Sequence, residues 1–378
     1  MKVAILASNF LKIPPDLASL PPGYSGAAEQ ITHELCERLV DRGLDVTLFA
    51  SGDSQTRARL VSVREKASAN DPEVGIANGH DMEYVLISKC YQMARGGAFD
   101  IIHAQHSRRV AYFTPFVTTP TVSTLHSPLS AKETIVLSHF AKSQWYVSIS
   151  NAQRAPSPNL NYAANIYHGL DLQRFPPGNG EGEYMLWAGR ITPEKGVLEA
   201  IDLSAVTHKP LTIVGEAMKD DPYGLEVAKK AQSDLVKTYG WVNRERLHEF
   251  YRQAKLFLFP IQWEEPFGLV LIEAMASGTP VVAMARGSVP EVVEDGVTGF
   301  IVNASEEDRR GEWVIKESGI RGLQKAIERI YAMTSGNYAA MREACRSRVQ
   351  KHFTLDAMAE AYANLYQRLV SKPYPGSS

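Results

Sequence analysis

The segment from 256 to 300 constrains the fold of this chain more than any other: LFLFPIQWEEPFGLVLIEAMASGTPVVAMARGSVPEVVEDGVTGF. It contains an apolar run, a polar turn, an amphipathic run and a second apolar run, PVVAM. Short apolar runs on either side of a helical segment indicate parallel strands joined by a crossover helix. Glu265 precedes Pro266-Phe267-Gly268 in the turn, and Glu273 lies inside the predicted helix. The segment therefore predicts a parallel sheet with one carboxylate in a loop and another on the following helix.

The same alternation of strand and helix runs through the rest of the chain. Apolar strands are predicted at 2–7, 45–51, 99–104, 119–126 and 145–150, with a helix at 27–42, and again at 184–190, 211–216, 237–242, 256–260 and 280–284. Strands separated by helices indicate an α/β fold with helices on both faces of a parallel sheet. The sequence thus predicts two Rossmann-like, doubly wound domains facing a cleft, with the chemistry at the carboxyl ends of the strands.

The domain boundaries are predicted from a change in composition. The segment RFPPGNGEGE at 174–183 is rich in proline and glycine, which is typical of a linker. It would separate an amino-terminal domain at 1–173 from a carboxyl-terminal domain at 184–353. Residues 354–378 would form a terminal helix that packs back on the amino-terminal domain, followed by a frayed end. Residues 305–325 are predicted to be a polar surface insertion that leads into a helix.

Composition narrows the classes of function. The net charge is −2, which gives no support for nucleic-acid binding or for a membrane-surface role. No apolar run approaches the ~20 residues that span a bilayer, and the amino terminus lacks a cleavable signal layout, so a cytoplasmic location is expected. The 3 cysteines, Cys36, Cys90 and Cys345, are too far apart to form a metal-ligand pattern, which predicts reduced thiols and no metal site.

Four motifs occur in an order that resembles a known family. They are PPGYSGAAE near the amino terminus, HGLDLQRF at 168–175, GRITPEKG at 189–196 and EPFGLVLIEAMASGTPVVA at 265–283. Together they resemble the retaining glycosyltransferases of family 4, the glycosyl transferases of group 1, whose two-domain fold is called GT-B. Each motif alone is weak, but the ordered set covers nearly the whole chain. The resemblance implies that the domain at 1–173 is the acceptor side and that the domain at 184–353 binds the nucleotide-sugar donor.

The resemblance assigns the two glutamates to different parts of a nucleotide sugar. Glu273 matches the glutamate implied to bind the ribose hydroxyls, a role that suits a carboxylate because it accepts two hydrogen bonds. Glu265 matches the glutamate implied to contact the transferred sugar, whose hydroxyls would also meet the backbone amides of Phe267, Gly268 and Leu269 at a helix start. The alternatives are a glutamate at the positive end of its own helix and an acidic turn. The neighbouring Glu264 is expected to be only solvated.

Arg190 and Lys195 match the basic pair that holds the donor diphosphate in this family. Their charge would stabilise the departing nucleotide as the glycosidic bond breaks through an oxocarbenium-like state. Gly189 precedes the pair and is assigned to the same phosphate site. The alternative is a basic pair at the surface of a polar turn.

Glycines and histidines of the amino-terminal half complete the candidate site. Gly26, with Gly23 before it, lies where family members approach the phosphates with backbone amides, although Ser25-Gly26 replaces the usual paired glycines. His126 matches a histidine beside the donor sugar, where it would orient a hydroxyl or assist proton movement. His106 is a weaker candidate on the acceptor side. His103 is expected in the core, and His168 stands where the family commonly has asparagine.

The tryptophans are interpreted more cautiously as candidates for sugar stacking. Trp187 and Trp241 lie in or beside predicted strands and are expected to pack. Trp263, just before the two glutamates, is kept as a possible ligand contact.

The resulting hypothesis is a metal-independent, retaining hexosyltransferase that needs no cofactor. It would move a sugar from a nucleotide diphosphate, UDP first and GDP-mannose next by family frequency, to a hydroxyl of a saccharide, a lipid-linked acceptor or a small molecule. Alternatives on the same fold are a nucleotide-sugar epimerase, a sugar phosphorylase or a non-catalytic nucleotide-sugar-binding module. The expected assembly is a monomer or a homodimer.

Overall fold

The computed structural model describes residues 1–21, 24–105, 107–180 and 182–371. Gly23, His106, one residue of the predicted linker and the end of the tail lie outside the described residues. The chain divides into two compact units. The first comprises Met1–Gly169 together with the segment from Leu355, and the second comprises Leu170–Thr354.

Strands and helices alternate through both units. The strands are β1 (Lys2–Leu6), β2 (Asp45–Phe49), β3 (Arg59–Val61), β4 (Ile101–Ala104), β5 (Thr121–Thr124), β6 (Trp145–Ser148), β7 (Tyr162–Asn165), β8 (Tyr184–Ala188), β9 (Leu211–Val214), β10 (Val236–Tyr239), β11 (Ala254–Phe259), β12 (Val281–Met284) and β13 (Gly299–Val302). The helices are α1 (Ala27–Asp41), α2 (Gly75–Arg95), α3 (Ser107–Ala111), α4 (Ala131–His139), α5 (Val197–Thr207), α6 (Pro222–Lys230), α7 (Arg244–Gln253), α8 (Leu269–Ala276), α9 (Val289–Val292), α10 (Gly319–Tyr331), α11 (Ser335–His352) and α12 (Leu355–Val370).

Each unit is built on one parallel sheet. The sheet of the first unit has the strand order β3-β2-β1-β4-β5-β6-β7, and that of the second has the order β10-β9-β8-β11-β12-β13. In both, the chain starts a sheet near its centre and then adds strands on either side, which is the doubly wound pattern. The predicted fold class, two Rossmann-like parallel-sheet domains, is therefore confirmed. The edge strands β3, β7 and β13 were not predicted from the sequence.

The central strands are apolar because helices cover both of their faces. All four residues of β4, β5, β6, β9 and β12 are buried. A strand buried on both faces cannot show the alternation of a half-exposed strand, which explains the continuous apolar runs in the sequence. The sheets thus provide rigid frameworks whose strand ends can position side chains.

The carboxyl-terminal helix α12 belongs to the first unit. The face expected from helical spacing is buried, with Met358, Tyr362, Leu365 and Tyr366 each no more than 2% exposed. α12 packs along α1, and Arg42 donates a hydrogen bond to the carbonyl of Asp356 (2.8 Å). The last segment of the chain therefore completes a unit that begins at residue 1.

The described residues of the predicted linker at 174–183 belong to the second unit, and the boundary between units falls earlier, at Gly169–Leu170. Phe175 is fully buried, and the amide of Gly178 donates to the carbonyl of Ser277 (3.0 Å). A Cβ at Gly178 would lie 2.0 Å from the carbonyl oxygen of Arg252. Glycine is required here for close approach between backbones rather than for flexibility. The segment therefore has the composition of a linker although it packs against the rest of its unit.

The chain passes between the units twice, after Gly169 and after Thr354. Leu170 and Thr354 form an isolated parallel bridge, and the amide of Leu170 donates to the carbonyl of Phe353 (2.9 Å). The two passages are therefore neighbours although they lie far apart in sequence.

Cys36, Cys90 and Cys345 are free thiols, and all three are buried. Burial raises the pKa of the Cys36 thiol to about 12. Within the described part of the chain, no helix is both long enough and apolar enough to cross a bilayer.

Candidate functional site

In the second unit, two loops meet at the carboxyl ends of β8 and β11. These strands are parallel neighbours in the sheet, so their following loops leave from the same edge. The loop after β8 carries GRITPEKG, and the loop after β11 carries the two adjacent glutamates. The amide of Gln262 donates to the carbonyl of Glu194 (2.9 Å), which joins the two loops directly.

Lys195 and Glu265 form an ion pair between these loops. Lys195 Nζ lies 2.7 Å from Glu265 Oε2, and the side chains are only 16% and 11% exposed. The indole Nε1 of Trp263 donates to the same carboxylate oxygen (3.0 Å), and Lys195 Nζ lies 4.7 Å from the centre of the Trp263 ring. The pair is largely shielded from water. Charge-assisted hydrogen bonds are stronger in such a setting than at an exposed surface. The structure thus brings together three side chains that the sequence singled out separately.

The helix α8 begins beside Glu265 without a capping side chain. Gly268 occupies the helix N-cap in the left-handed conformation (φ 78°), and no side chain accepts from the first-turn amides there. Ser288 Oγ donates to the carbonyl of Phe267 (2.8 Å), and the amide of Ser288 donates to the carbonyl of Glu265 (2.8 Å). The predicted contacts at Phe267, Gly268 and Leu269 therefore fall on a fixed backbone whose helix-start dipole suits electronegative oxygens.

Glu273 lies one turn further along α8 and is 8% exposed. The hydroxyl of Tyr251, on α7, donates to Glu273 Oε2 (3.1 Å). The first turn of α8 holds no acidic residue, so Glu273 is not placed to interact with the helix start. This removes the helix-dipole explanation for its presence.

Gly189 and Arg190 directly follow β8. The amide of Gly189 donates to the carbonyl of Val214 (3.1 Å), while Arg190 is exposed. Partial burial would raise the pKa of Glu194, but hydrogen bonds within its turn and the positive charges of Arg190 and Lys195 hold it below its usual value. The two predicted phosphate-binding cations thus act on one turn of the chain.

Glu264 is not merely solvated, so this prediction is wrong. Its carboxylate accepts from Arg310 Nη1 (2.6 Å) and from the amide of Gly287 (2.7 Å), and Arg286 Nη1 lies 3.4 Å away. Asp308 also pairs with both arginines. We call Glu264, Arg286, Asp308 and Arg310 the Glu264 cluster. Partial burial would raise the pKa of Glu264, but Arg310 and the Gly287 amide lower it. The surface insertion is therefore tied to the loop that carries Glu265.

In the first unit, Gly26 is buried at the start of α1. It occupies the N-cap in the left-handed conformation (φ 65°), without a side-chain cap for the helix. Pro15 and Leu17 lie close against it. Gly26 thus presents a second uncapped helix start at the carboxyl side of β1.

His126 follows β5 and contacts two polar residues of the same unit. Its Nε2 lies 2.7 Å from Gln105 Oε1, and its ring stacks on His168 with centroids 5.4 Å apart. Burial lowers the pKa of His168 to about 3, so that ring is neutral near pH 7. The predicted core position of His103 is confirmed, since it is fully buried.

The tryptophans divide differently from the prediction. Trp187 packs in the core at 1% exposure and donates from Nε1 to the carbonyl of Lys195 (3.1 Å), so it also supports the site from below. Trp241 is 45% exposed, so the expectation that it packs is wrong. Trp263 contacts the Lys195–Glu265 pair.

Two adjoining regions of this chain each match a protein family. Residues 171–317 match the family described as Glycosyl transferases group 1, and residues 27–174 match Glycosyltransferase Family 4. The chain belongs to the group 1 glycosyltransferases.

Curated relatives align with this chain over different lengths. The glycosyltransferase is 26% identical to glycogen synthase of Mycobacterium tuberculosis over 92% of each chain. It is 29% identical to an uncharacterized 41.2 kDa protein in the cps region of Klebsiella pneumoniae, across 48% of this chain and 46% of that protein.

Solved structures share its fold. Sucrose-phosphate synthase from Thermosynechococcus elongatus has a TM-score of 0.75 at 21% identity, covering 98% of this chain and 99% of that one. Anabaena HepE in complex with UDP and glucose has a TM-score of 0.71 at 20% identity, covering 97% of this chain and all (100%) of the other.

Sequence reasoning missed three kinds of residue in this glycosyltransferase. Gln105 and Tyr251 contact predicted site residues from distant parts of the chain, and ordinary sequence patterns carry no signal for such contacts. Arg310 carries a weak signal, because EEDRR places opposite charges together within a polar insertion.

Proposed function

We propose that this glycosyltransferase moves a sugar from a nucleotide diphosphate to a hydroxyl acceptor with retention of anomeric configuration. The observation that carries the proposal is the shielded Lys195–Glu265 pair, 2.7 Å apart, beside the uncapped start of α8. A cation, a carboxylate and helix-start amides at one strand edge offer complementary partners for a diphosphate and for sugar hydroxyls.

The second unit supplies the proposed donor site. Arg190 and Lys195 bind the diphosphate, and the amides at Phe267–Leu269 with Glu265 bind the sugar hydroxyls. Glu273 binds the ribose, with Tyr251 holding one carboxylate oxygen in place. Since Lys195 already contacts Glu265, the arriving diphosphate shares this cation with the carboxylate instead of meeting a mobile side chain.

The first unit supplies the proposed phosphate loop and a histidine. Gly26 offers backbone amides at the start of α1, and His126 orients a sugar hydroxyl or assists proton movement. Both residues follow strands of the first-unit sheet, β1 and β5.

The proposed chemistry is a same-face substitution. The bond between the anomeric carbon and the diphosphate oxygen breaks as the acceptor oxygen attacks from the same side, and the departing diphosphate takes the acceptor proton. Lys195 and Arg190 stabilise the charge that develops on the leaving group. No protein side chain acts as nucleophile, and these cations do the work that a metal does in other enzymes.

A UDP-sugar is the first choice of donor and GDP-mannose the second. HepE was crystallised with UDP-glucose, and it shares the fold of this chain. The acceptor class stays open between a saccharide, a lipid-linked acceptor and a small molecule. The cytoplasmic location and the monomeric or dimeric state remain predictions.

Calorimetric titration with UDP, GDP, ADP and dTDP tests the donor site first. We expect saturable binding of one nucleotide in preference to the others, and much weaker binding by Glu273→Gln. Absence of binding by all four nucleotides would contradict the proposal.

Turnover of the matching nucleotide sugar, with an acceptor panel and with EDTA present, tests the reaction. We expect a transferred sugar with the anomeric configuration of the donor. Conversion of the donor sugar without any acceptor would indicate an epimerase, binding without turnover would indicate a binding module, and activity lost in EDTA and restored by a divalent cation would overturn metal independence.

A further inference from the structure

The polar side chains behind His126 form a continuous buried chain within the first unit. His126 contacts Gln105, and Gln105 Nε2 lies 3.3 Å from Nε2 of His103. His103 is fully buried and Gln105 is 7% exposed. Buried polar groups of this kind are normally fully paired, since an unpaired one is costly. Each hydrogen bond in this series therefore has a defined donor and a defined acceptor.

The series of hydrogen bonds continues from His103 to α12. His103 Nδ1 lies 2.6 Å from the hydroxyl of Tyr366, and His103 Nε2 lies 2.7 Å from Thr124 Oγ1. Thr124 Oγ1 in turn lies 2.7 Å from the hydroxyl of Tyr362. Both tyrosines are on the buried face of α12. The carboxyl-terminal helix thus reaches the strand ends β4 and β5 through two hydroxyl groups.

The chemistry of the Gln105 amide sets the direction. Its oxygen can only accept, so His126 Nε2 carries the proton and donates. Its NH2 group can only donate, so His103 Nε2 is a hydrogen-bond acceptor, and it also accepts a hydrogen bond from the Thr124 hydroxyl. Neutral His103 then carries its proton on Nδ1 and donates to Tyr366. Burial lowers the pKa of His103 to about 3, which keeps this ring neutral and the pattern fixed near pH 7.

We infer that Gln105 is a positioning residue that holds His126 in its Nε2–H form and anchors that form, through His103, to Tyr366 and Tyr362 of α12. In a neutral imidazole whose proton is on Nε2, the lone pair is on Nδ1. The position of the proton on His126 is thereby set by Gln105. That His126 acts on the donor sugar rests on the proposed function, but its protonation pattern does not.

The first test measures the tautomer directly in the full-length protein, with histidine ring nitrogens labelled with ¹⁵N. Two-bond ¹H–¹⁵N correlations at pH 7 distinguish a protonated ring nitrogen from one that carries a lone pair, and His126→Asn identifies the His126 signals by their loss. We expect the protonated nitrogen of His126 to be Nε2 and that of His103 to be Nδ1. The reverse pattern would mean that the Gln105 amide points the other way, and it would overturn the inference.

The second test removes the amide while keeping its size. Gln105→Met should shift the His126 signals toward a mixture of both tautomers. Gln144→Met is the matched control, because Gln144 is a fully buried glutamine of the same unit that contacts Ser123 and Tyr146. The control should leave the His126 signals unchanged. An unchanged tautomer in Gln105→Met, or an equal change in the control, would overturn the role of Gln105.

Gln105→Glu gives an independent variant in case the methionine variant does not fold. A carboxylate still accepts from His126 Nε2 but donates nothing to His103, so the His126 tautomer should be kept while the His103 signals move. Loss of the His126 tautomer in this variant would contradict the assignment.

Once transfer is measured, Gln105→Met should lower kcat about tenfold with little change in the donor KM, and Gln105→Glu should recover part of it. A wild-type protein without transferase activity would defeat the proposed function, whereas the tautomer measurements would still decide the role of Gln105.

Discussion

The candidate residues of the two units are held in opposite ways. In the second unit, Lys195 and Glu265 are opposite charges 2.7 Å apart in loops at the edge of a sheet. In the first unit, His126 is held by neutral groups, the amide of Gln105 and the buried ring of His168. The charged pair belongs to loops, and the neutral set is connected to strands and to α12.

This difference follows from what each set is expected to bind. A diphosphate brings negative charge. A cation that a carboxylate already holds in place, as Glu265 holds Lys195, can form a strong ion pair with it. A histidine that moves a proton must keep a defined tautomer, which neutral hydrogen bonds in a buried setting fix without competing charge. The two units therefore predict different responses to mutation and pH.

The largest expected effect is on the charged side. Lys195→Ala should lower kcat by about 100-fold or more, because removing one group that stabilises transition-state charge typically costs this much. The donor KM should change less. Lys230→Ala, which breaks an exposed ion pair with Asp202 in the same unit, is the control and should keep full activity. Equal rates for Lys195→Ala and wild type would remove Lys195 from the site.

The next effect separates binding from chemistry within the second unit. Glu273→Gln should weaken nucleoside diphosphate binding by about 10- to 100-fold, because hydrogen bonds to a charged group are worth roughly 1.5–3 kcal/mol. Tyr251→Phe keeps the carboxylate and removes only one of its partners, so its effect should be smaller. Calorimetry measures both. A larger loss for Tyr251→Phe than for Glu273→Gln would contradict the ribose assignment.

The third prediction concerns the neutral residues of the first unit and the stability of the protein in acid. Since burial lowers the pKa of His168 from 6.5 to about 3, the unfolded chain binds a proton in this interval that the folded chain excludes. The free energy of unfolding therefore falls as pH decreases from about 6.5 to about 3, by at most ~1.4 kcal/mol per pH unit for this group.

His168→Asn removes this contribution and should flatten the pH dependence of unfolding in denaturant. His139→Asn, at an exposed position of the same unit, serves as the control. Parallel curves for His168→Asn and wild type would show that His168 is not held neutral.

The smallest expected effect concerns the Glu264 cluster. Arg310→Ala should raise the donor KM only a few-fold, because exposed ion pairs contribute about 0–1 kcal/mol. The effect should shrink at high salt, where such charges are screened. Arg309→Ala is the control, since Arg309 pairs with Glu306 and Glu312 instead. A change that is equal in both variants or insensitive to salt would separate this cluster from Glu265.

Sequence patterns predicted the sheets because buried parallel strands leave continuous apolar runs. They also placed Lys195 and Glu265 at strand ends, where parallel topology brings loops together. They failed at 174–183, because glycine serves both mobile linkers and tight backbone contacts, and Gly178 does the second.

The contacts of Gln105 and Tyr251 could not be predicted from periodicity. They join residues that are distant in sequence, Gln105 with His126 and Tyr251 with Glu273. The same holds for Glu264, whose partner Arg310 is 46 residues away.

The paired passages at Leu170 and Thr354 limit how this enzyme can be recombined with its relatives. A chimera joined only near residue 170 would replace the second unit and α12 together, so His103 would meet foreign side chains in place of Tyr362 and Tyr366. Transplantation of the second unit alone therefore requires two junctions, one at each passage. The first unit is formed by two separate segments of the polypeptide, one at each end of the described chain.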